Sequence, residues 1–204
     1  MAILKLTKNE LRDQQRRLSL FQKYLPTLQL KKAMLQFEVS QAINEIAHLK
    51  TLFGLAKQTV AQFSPLLEDK AAVNVVELAE VVHVKKRYEN IAGVEIPIFE
   101  TVVFKEPDYF LFDTPVWVER ATELTRDLVT AREKVGVAEE KKRALEKELR
   151  EVSIRVNLFE KILIPRSQDN IKKIRIFLGD QQLAAVAQAK VAKMKMNQKK
   201  NHDR

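Results

Sequence analysis

The first sixty residues repeat apolar side chains every seven positions. Two columns lie three residues apart, and only Thr7, Gln14 and Lys32 interrupt them with polar side chains. The columns are Leu4, Leu11, Leu18, Leu25, Lys32, Val39, Ile46, Phe53 and Val60, and Thr7, Gln14, Phe21, Leu28, Leu35, Ala42, Leu49, Ala56 and Phe63. A sustained seven-residue period is typical of a coiled-coil seam. The pattern therefore predicts one long helix that buries a narrow apolar stripe against a partner.

The same period returns from about Pro115 onward. Its columns are Ala121, Leu128, Val135, Lys142, Leu149, Val156 and Leu163, and Leu124, Ala131, Ala138, Leu145, Val152 and Phe159. After Pro165 the register changes, and apolar residues fall at Ile171, Ile174, Leu178, Ala185, Ala189 and Ala192. Because two such arms flank a shorter middle segment, we expect them to pair as a long antiparallel two-helix coiled coil.

Local signals predict where these helices begin and where they are disturbed. Thr7 followed by Glu10 is the pattern of a capping box at the start of the first helix. Pro26 lies inside this helix, and we expect a kink or a short break there. Pro165 lies where one seam ends and the next begins, so we expect it to re-aim the second helix rather than stop it.

The segment between the two arms is rich in valine and isoleucine. Its apolar residues alternate with polar ones on both sides of the stretch ENIAG (89–93): Val76, Leu78, Val82 and Val84, then Val94, Ile96, Ile98, Val102 and Phe104. Alternation on both sides of a turn predicts a β-hairpin. Pro97 places its strand at a sheet edge or adds an irregularity.

Together these signals predict a mainly α fold with a small β-hairpin region at the far tip of the coiled coil. We expect three parts. Residues 1–66 form the N-terminal coiled-coil helix, and residues 67–114 form the hairpin and its connector. Residues 115–204 form the C-terminal coiled-coil helix with a basic tail.

Composition and motifs argue against an enzyme. The chain has no cysteine, and its 4 glycines are scattered, so no phosphate-binding loop is available. His48, His83 and His202 share no spacing typical of metal ligands, and no nucleophile has a neighbouring base. We therefore predict no catalytic, cofactor-binding or metal-binding residues.

Charge and hydropathy suggest a location and a class of partner. No signal peptide and no apolar run of membrane-spanning length are present, so we expect a cytoplasmic protein. The net charge of +9 permits binding to nucleic acid or to an anionic surface. The basic tail, however, is not interleaved with aromatic residues, so we expect a solvated tail and no bound nucleic acid.

Three stretches resemble the D subunit of the V-type and archaeal-type rotary ATPases. They are TKNELRDQQRRLSLFQKYL (7–25), ENIAGVEIPIFE (89–100) and RVNLFEKILIPRSQDNIKKIRIFLGDQQLAAVAQAKVAKMK (155–195). The last is the most specific, because its RVN start, its IPR turn and its basic finish all match the family. Two stretches depart from the family pattern, LPTLQLKKAML (25–35) and GDQQLAAVAQ (179–188).

The resemblance implies a non-catalytic rotor axle in the central stalk, peripheral to the membrane. Its expected partners are the A-type and B-type subunits of the catalytic hexamer, the small F-type stalk subunit and a membrane-rotor adaptor. The implied ring and stalk contacts are Leu4, Leu11, Arg155, Asn157, Glu160, Pro165, Arg166, Ile171, Ile174, Leu178, Lys190 and Lys193. The implied contacts of the β tip are Glu95, Ile96, Pro97 and Phe99.

Other functions fit part of the pattern. The heptads alone also suit a helical hairpin that tethers or dimerises, since coiled coils serve many roles. A prefoldin-like chaperone likewise joins two helical arms through β-hairpins, but it predicts an apolar grip at the ends of its arms. Here the C-terminal end reads KMKMNQKKNHDR, which is basic.

Overall fold

A computed structural model of the chain describes residues 4–63, 77, 79–106, 115 and 117–202. Helix α1 spans Lys8–Phe63, and strands β1 and β2 span Val81–Ile91 and Val94–Phe104. Helix α2 spans Trp117–Leu158, a π-helical turn spans Phe159–Leu163, and helix α3 spans Ile164–His202. The structure confirms a mainly helical fold with an N-terminal helix, a C-terminal helix and an antiparallel two-stranded hairpin.

Helix α1 begins one residue after Thr7, and α2 begins at Trp117. The backbone N–H of Glu10 donates to Thr7 Oγ1 over 3.3 Å, which satisfies one of the free donors of the first turn of α1. Pro115 precedes α2, and its carbonyl accepts the N–H of Val118 over 3.0 Å. The predicted boundaries at residues 66 and 114 lie outside the described residues, as do Val76 and Leu78 of the predicted strand.

Of the kink or short break expected at Pro26, the structure excludes the break, because α1 continues through this residue. Proline lacks the N–H that would bond four residues back, which costs about 3 kcal/mol in a helix interior. Leu25 and Leu28 flank the proline, and both are partly buried in the seam. Burial of apolar side chains, at about 25 cal/mol per Å², offsets the lost bond and favours a continuous helix.

The contacts of the chain form two compact units. The terminal unit combines Met1–Leu30 with Ser153–Arg204, and the hairpin unit is Lys31–Val152.

In the hairpin unit α1 and α2 run antiparallel. Three interhelical ion pairs join them: Lys31–Glu148 at 2.7 Å, Glu45–Lys141 at 2.8 Å and Lys50–Glu139 at 2.8 Å. Residue numbers therefore rise along α1 as they fall along α2. The predicted seam residues Leu35, Ala42 and Leu145 are completely buried in this unit, and Val118 and Val137 of α2, which lie outside the heptad columns, are buried as well. The heptad columns thus identified the packed face of both helices.

The two strands pair in antiparallel register around a two-residue turn. Ile91 lies opposite Val94, and Ala92 and Gly93 have φ angles of 51° and 81°. Two positive φ angles match the right-handed twist of a hairpin, and Asn90 Oδ1 accepts the Gly93 N–H over 3.0 Å. Since the described sheet consists of these two strands, the missing N–H of Pro97 breaks no further ladder within it.

The hairpin lies alongside the helices of its unit. At its base, Arg126 of α2 donates to the carbonyl of Lys105 over 2.9 Å. At its turn, Gly93 lies beside the Lys31 ammonium, which is paired with Glu148. An 11-residue strand is about 36 Å long, and the stretch of α2 from residue 126 to residue 148 is about 33 Å long. The open end of the hairpin therefore lies near the start of α2, and the strands run from there back along the two helices.

In the terminal unit α1 pairs with the end of α2 and with α3. The rings of Phe21 and Phe159 meet edge to face, with centroids 5.3 Å apart. Further along, Leu18 and Ile171 line a common groove, and so do Leu11 and Leu178. As residue numbers fall along α1, the residue numbers of the contacting residues rise. The predicted antiparallel pairing therefore holds within this unit as well.

Charging the seam of the hairpin unit should unfold it. We expect Leu35→Asp or Leu145→Asp to destabilise the protein by about 3 to 5 kcal/mol, because each places an unpaired charge in a dry interior. Urea unfolding monitored by circular dichroism measures this loss. Leu55→Asp is the matched control, since Leu55 lies on α1 with 59 % of its surface exposed. Unchanged stability in both seam variants would show that the seam is misassigned.

Candidate functional site

The residues expected to contact partners fall into two groups in the terminal unit. Ile171 and Ile174 are buried in the seam, and Leu4, Leu11 and Leu178 are partly buried. The others are exposed: Arg155, Asn157, Glu160, Pro165, Arg166, Lys190 and Lys193. Ile171 and Ile174 contribute to the packing between the helices. The second group presents the larger surface to another molecule.

The last part of α3 is exposed on all sides. Every residue from Asp180 to Gln198 is exposed, and Asp180 is the only acidic residue between Ile171 and Gln198. Large apolar side chains are exposed there too, with 71 % of the surface of Leu183 accessible: Leu183, Val186, Val191, Met194 and Met196. A helix that exposes both lysines and large apolar side chains is typical of a surface that a partner covers.

The expected β-tip residues are divided in the same way. Ile96 is completely buried and Pro97 is buried. Phe99 is partly buried, and the Lys134 ammonium of α2 lies 5.4 Å from the centroid of its ring. Glu95 alone of the four is exposed. Three of these side chains therefore contribute to packing within the hairpin unit.

An ion pair fastens the hairpin to α2. Lys86 Nζ lies 2.6 Å from Glu140 Oε2, and the lysine side chain is partly buried. The hydrogen bond to Glu140 raises the pKa of Lys86 above its ordinary value of 10.5, because the carboxylate stabilises the protonated ammonium. On the neighbouring surface, the hydrogen bond from Lys50 lowers the pKa of Glu139. Both pairs thus favour the charged forms at neutral pH.

Neither a metal-binding cluster nor a buried acid or base is found among the described residues. They contain no cluster of three or more histidine, aspartate or glutamate side chains that could hold a metal ion. Their buried polar side chains are Gln14, Thr122 and Ser167, none of which is an acid or a base. Gln14 donates to Glu10 and Thr122 donates to the Val118 carbonyl, so both serve local structure. Among the described helices, none combines the length and the apolar character that a membrane crossing requires.

Two features of the surface were missed from the sequence. Lys86, Lys134 and Glu140 join the hairpin to α2, and their spacing in the chain gives no sign of that contact. Ile154, Leu158 and Ile162 form an exposed stripe with a period of four, outside both heptad columns. This second signal is visible in the sequence, because a period of four marks one face of a helix.

Comparison with known proteins then decides the family. The profile of the family described as the D subunit of ATP synthase matches residues 10–194, which include both helical arms and the hairpin. The chain belongs to the ATP synthase D subunit family. This membership supports a central-stalk subunit of a V-type ATPase and does not favour a prefoldin-like chaperone or a tether.

Relatives in the D subunit family match almost the whole chain. The V-type ATP synthase D subunit of Chlamydia abortus is 43% identical over 198 residues, which cover 97% of this chain and 95% of the relative. The V-type ATP synthase D subunit of Chlamydia trachomatis serovar L2 is 42% identical, with 97% and 98% covered. That of Chlamydia pneumoniae is 40% identical, with 97% and 95% covered.

Removing the Lys86 ammonium should loosen the hairpin. We expect Lys86→Met to cost about 0.5 to 1 kcal/mol at neutral pH, the upper range for a partly exposed pair, and to speed hydrogen exchange in β1 and β2. Because the folded pKa is raised, the pair contributes fully below about pH 10.5. Its contribution is lost as the pH rises further.

Two control variants make this test specific. The exposed neighbour Lys85→Met should leave the exchange rates unchanged. In a Glu140→Gln background, Lys86→Met should have no further effect, since the pair is already broken. Equal effects of Lys86→Met with and without Glu140 would contradict the assignment.

Proposed function

We propose that this chain is the rotor axle in the central stalk of a V-type ATPase. It has no catalytic role of its own. It couples ATP hydrolysis or synthesis in the catalytic hexamer to rotation of the membrane ring. The proposal rests on membership of the D subunit family.

The observation that carries the proposal is the seam between antiparallel helices in each unit. A torque is transmitted by a part that resists twisting, and side chains interlocked along a seam resist it better than one helix does. In the terminal unit Val156, Ile171 and Ile174 are buried along this seam. In the hairpin unit Leu35, Leu145 and Val152 fill the same role.

The exposed end of α3 suits contact with the catalytic ring. We assign Lys190, Lys193 and the exposed apolar residues around them to this contact, since they have no partner of this chain to cover them among the described residues. The A-type and B-type subunits are the expected partners. Arg155, Asn157, Glu160 and Arg166 offer further polar contacts in the same unit.

The hairpin unit suits contacts outside the ring. We assign the small F-type stalk subunit and the membrane-rotor adaptor to this part of the chain. Glu95 is exposed near the turn of the hairpin and is available to a partner. In this arrangement the chain lies on the cytoplasmic side, peripheral to the membrane, and does not insert into the bilayer.

Charge reversal at the end of α3 tests the proposed ring contact. We expect Lys190→Glu with Lys193→Glu to leave the melting of the free chain unchanged, because both side chains are exposed. Binding to the reconstituted catalytic ring should weaken by roughly tenfold or more, since like charges would oppose each other at the interface. Lys57→Glu, an exposed lysine of α1, is the matched control.

Purification of the chain without these substitutions from its host identifies the class of partner. A tagged chain purified from its host should bring the ATPase subunits with it. A hexamer of this chain alone would indicate a chaperone, and bound nucleic acid would indicate a nucleic-acid binder. Either result would refute the axle.

A further inference from the structure

One turn of the C-terminal helical arm is wider than the others. The N–H of Ile164 donates to the carbonyl of Phe159, five residues back, and the turn Phe159–Leu163 is π-helical. Leu158 and Ile164, on its two sides, have helical φ and ψ angles of −61° and −46° and of −65° and −53°. The chain therefore stays helical but holds one extra residue in this turn.

The extra residue shifts the seam by one position. Up to the end of the turn, the partly or fully buried residues Val156, Phe159 and Leu163 follow the heptad columns. Continued without a shift, these columns would place four other residues against α1: Arg166, Asn170, Lys173 and Phe177. Asn170 is partly buried and the other three are exposed. The seam instead holds four residues that each lie one position later and are buried or partly buried: Ser167, Ile171, Ile174 and Leu178.

Pro165 lies two residues after Leu163, the last residue of the wide turn. A proline in a regular helix has no N–H to bond the carbonyl four residues back, and its ring collides with that carbonyl, here that of Lys161. In a π turn the carbonyls are displaced by the extra residue. Pro165 then occupies the second position of α3, where a proline is tolerated because the first N–H groups of a helix need no helical partner.

We propose that the π turn and Pro165 form a joint that sets the rotational phase of α3. The extra residue makes room for the proline. The apolar residues of α3 lie one position later in the sequence, which compensates for the extra residue. The joint keeps Ile171 and Ile174 against α1 and keeps Lys173 and Phe177 outside. Phe21 of α1 packs on Phe159 and holds the start of the joint. This inference does not depend on the proposed rotor function.

Deleting one residue of the turn tests the joint. Ile162 is 52 % exposed, so its removal leaves no cavity and converts the turn to a regular α-helix. The seam then reads as an unbroken heptad through Ile164, Ser167, Ile171 and Ile174. Pro165, however, now lies inside a regular helix. We expect the deletion alone to raise the unfolding equilibrium constant about 100-fold.

The substitution Pro165→Ala should restore stability to the variant that lacks Ile162. Adding Pro165→Ala to the deletion restores a donor and removes the clash, so most of the lost stability should return. In the full-length chain Pro165→Ala should change the unfolding constant at least tenfold less than it does in the deletion background. An equal effect of Pro165→Ala in both backgrounds, or no loss from the deletion, would overturn the proposal.

A control deletion and a thiol reporter check the phase itself. Deleting the exposed Lys172 also removes one residue, but Pro165→Ala should not rescue it, because the seam beyond stays out of phase. Since the chain has no cysteine, the single variants Lys173→Cys and Ile174→Cys report the exposure of these two positions directly. In the wild-type background and in the rescued double variant, a thiol reagent should label position 173 quickly and position 174 slowly. Equal labelling of the two positions in either protein would refute the assigned phase.

Discussion

The narrow apolar seam between antiparallel helices is the interaction on which the rest of this structure depends. Helices of this length expose most of their surface to water, and most helical stability comes from the face that packs. In the hairpin unit the seam centres on residues such as Leu35 and Leu145, which are completely buried. In the terminal unit it centres on Ile174. The hairpin adds a buried residue of its own, Ile96, to the same unit.

The seam was predictable from the sequence because its signal is local and repeated. A seven-residue period indicates which face of a helix is buried. The turn of the hairpin follows from the alternation of apolar and polar residues on both sides of Ala92 and Gly93. The position of the hairpin along the two helices was not predictable in the same way. The Lys86–Glu140 pair joins residues 54 positions apart, and no period in the chain encodes such a contact.

The two prolines within the helical arms show that the presence of a proline does not by itself predict how a helix responds to it. Pro26 has the same chemistry as Pro165, yet α1 continues through it while the later arm widens into a π turn. The register change beyond Pro165 was visible in the sequence. Its cause was not, because a kink, a break and an inserted residue can each change the register of a seam. Seam packing on either side decides which of these the chain adopts.

Rotation of the chain inside the assembled complex is the most direct test of the axle. A single cysteine introduced at the exposed Asn90, in a chain that has none of its own, allows a probe to be attached to the hairpin. The probe would be followed under the microscope in a surface-held catalytic ring. We expect stepwise rotation in one direction when ATP is added and none without it. A probe that stays still while the ring hydrolyses ATP would contradict the axle.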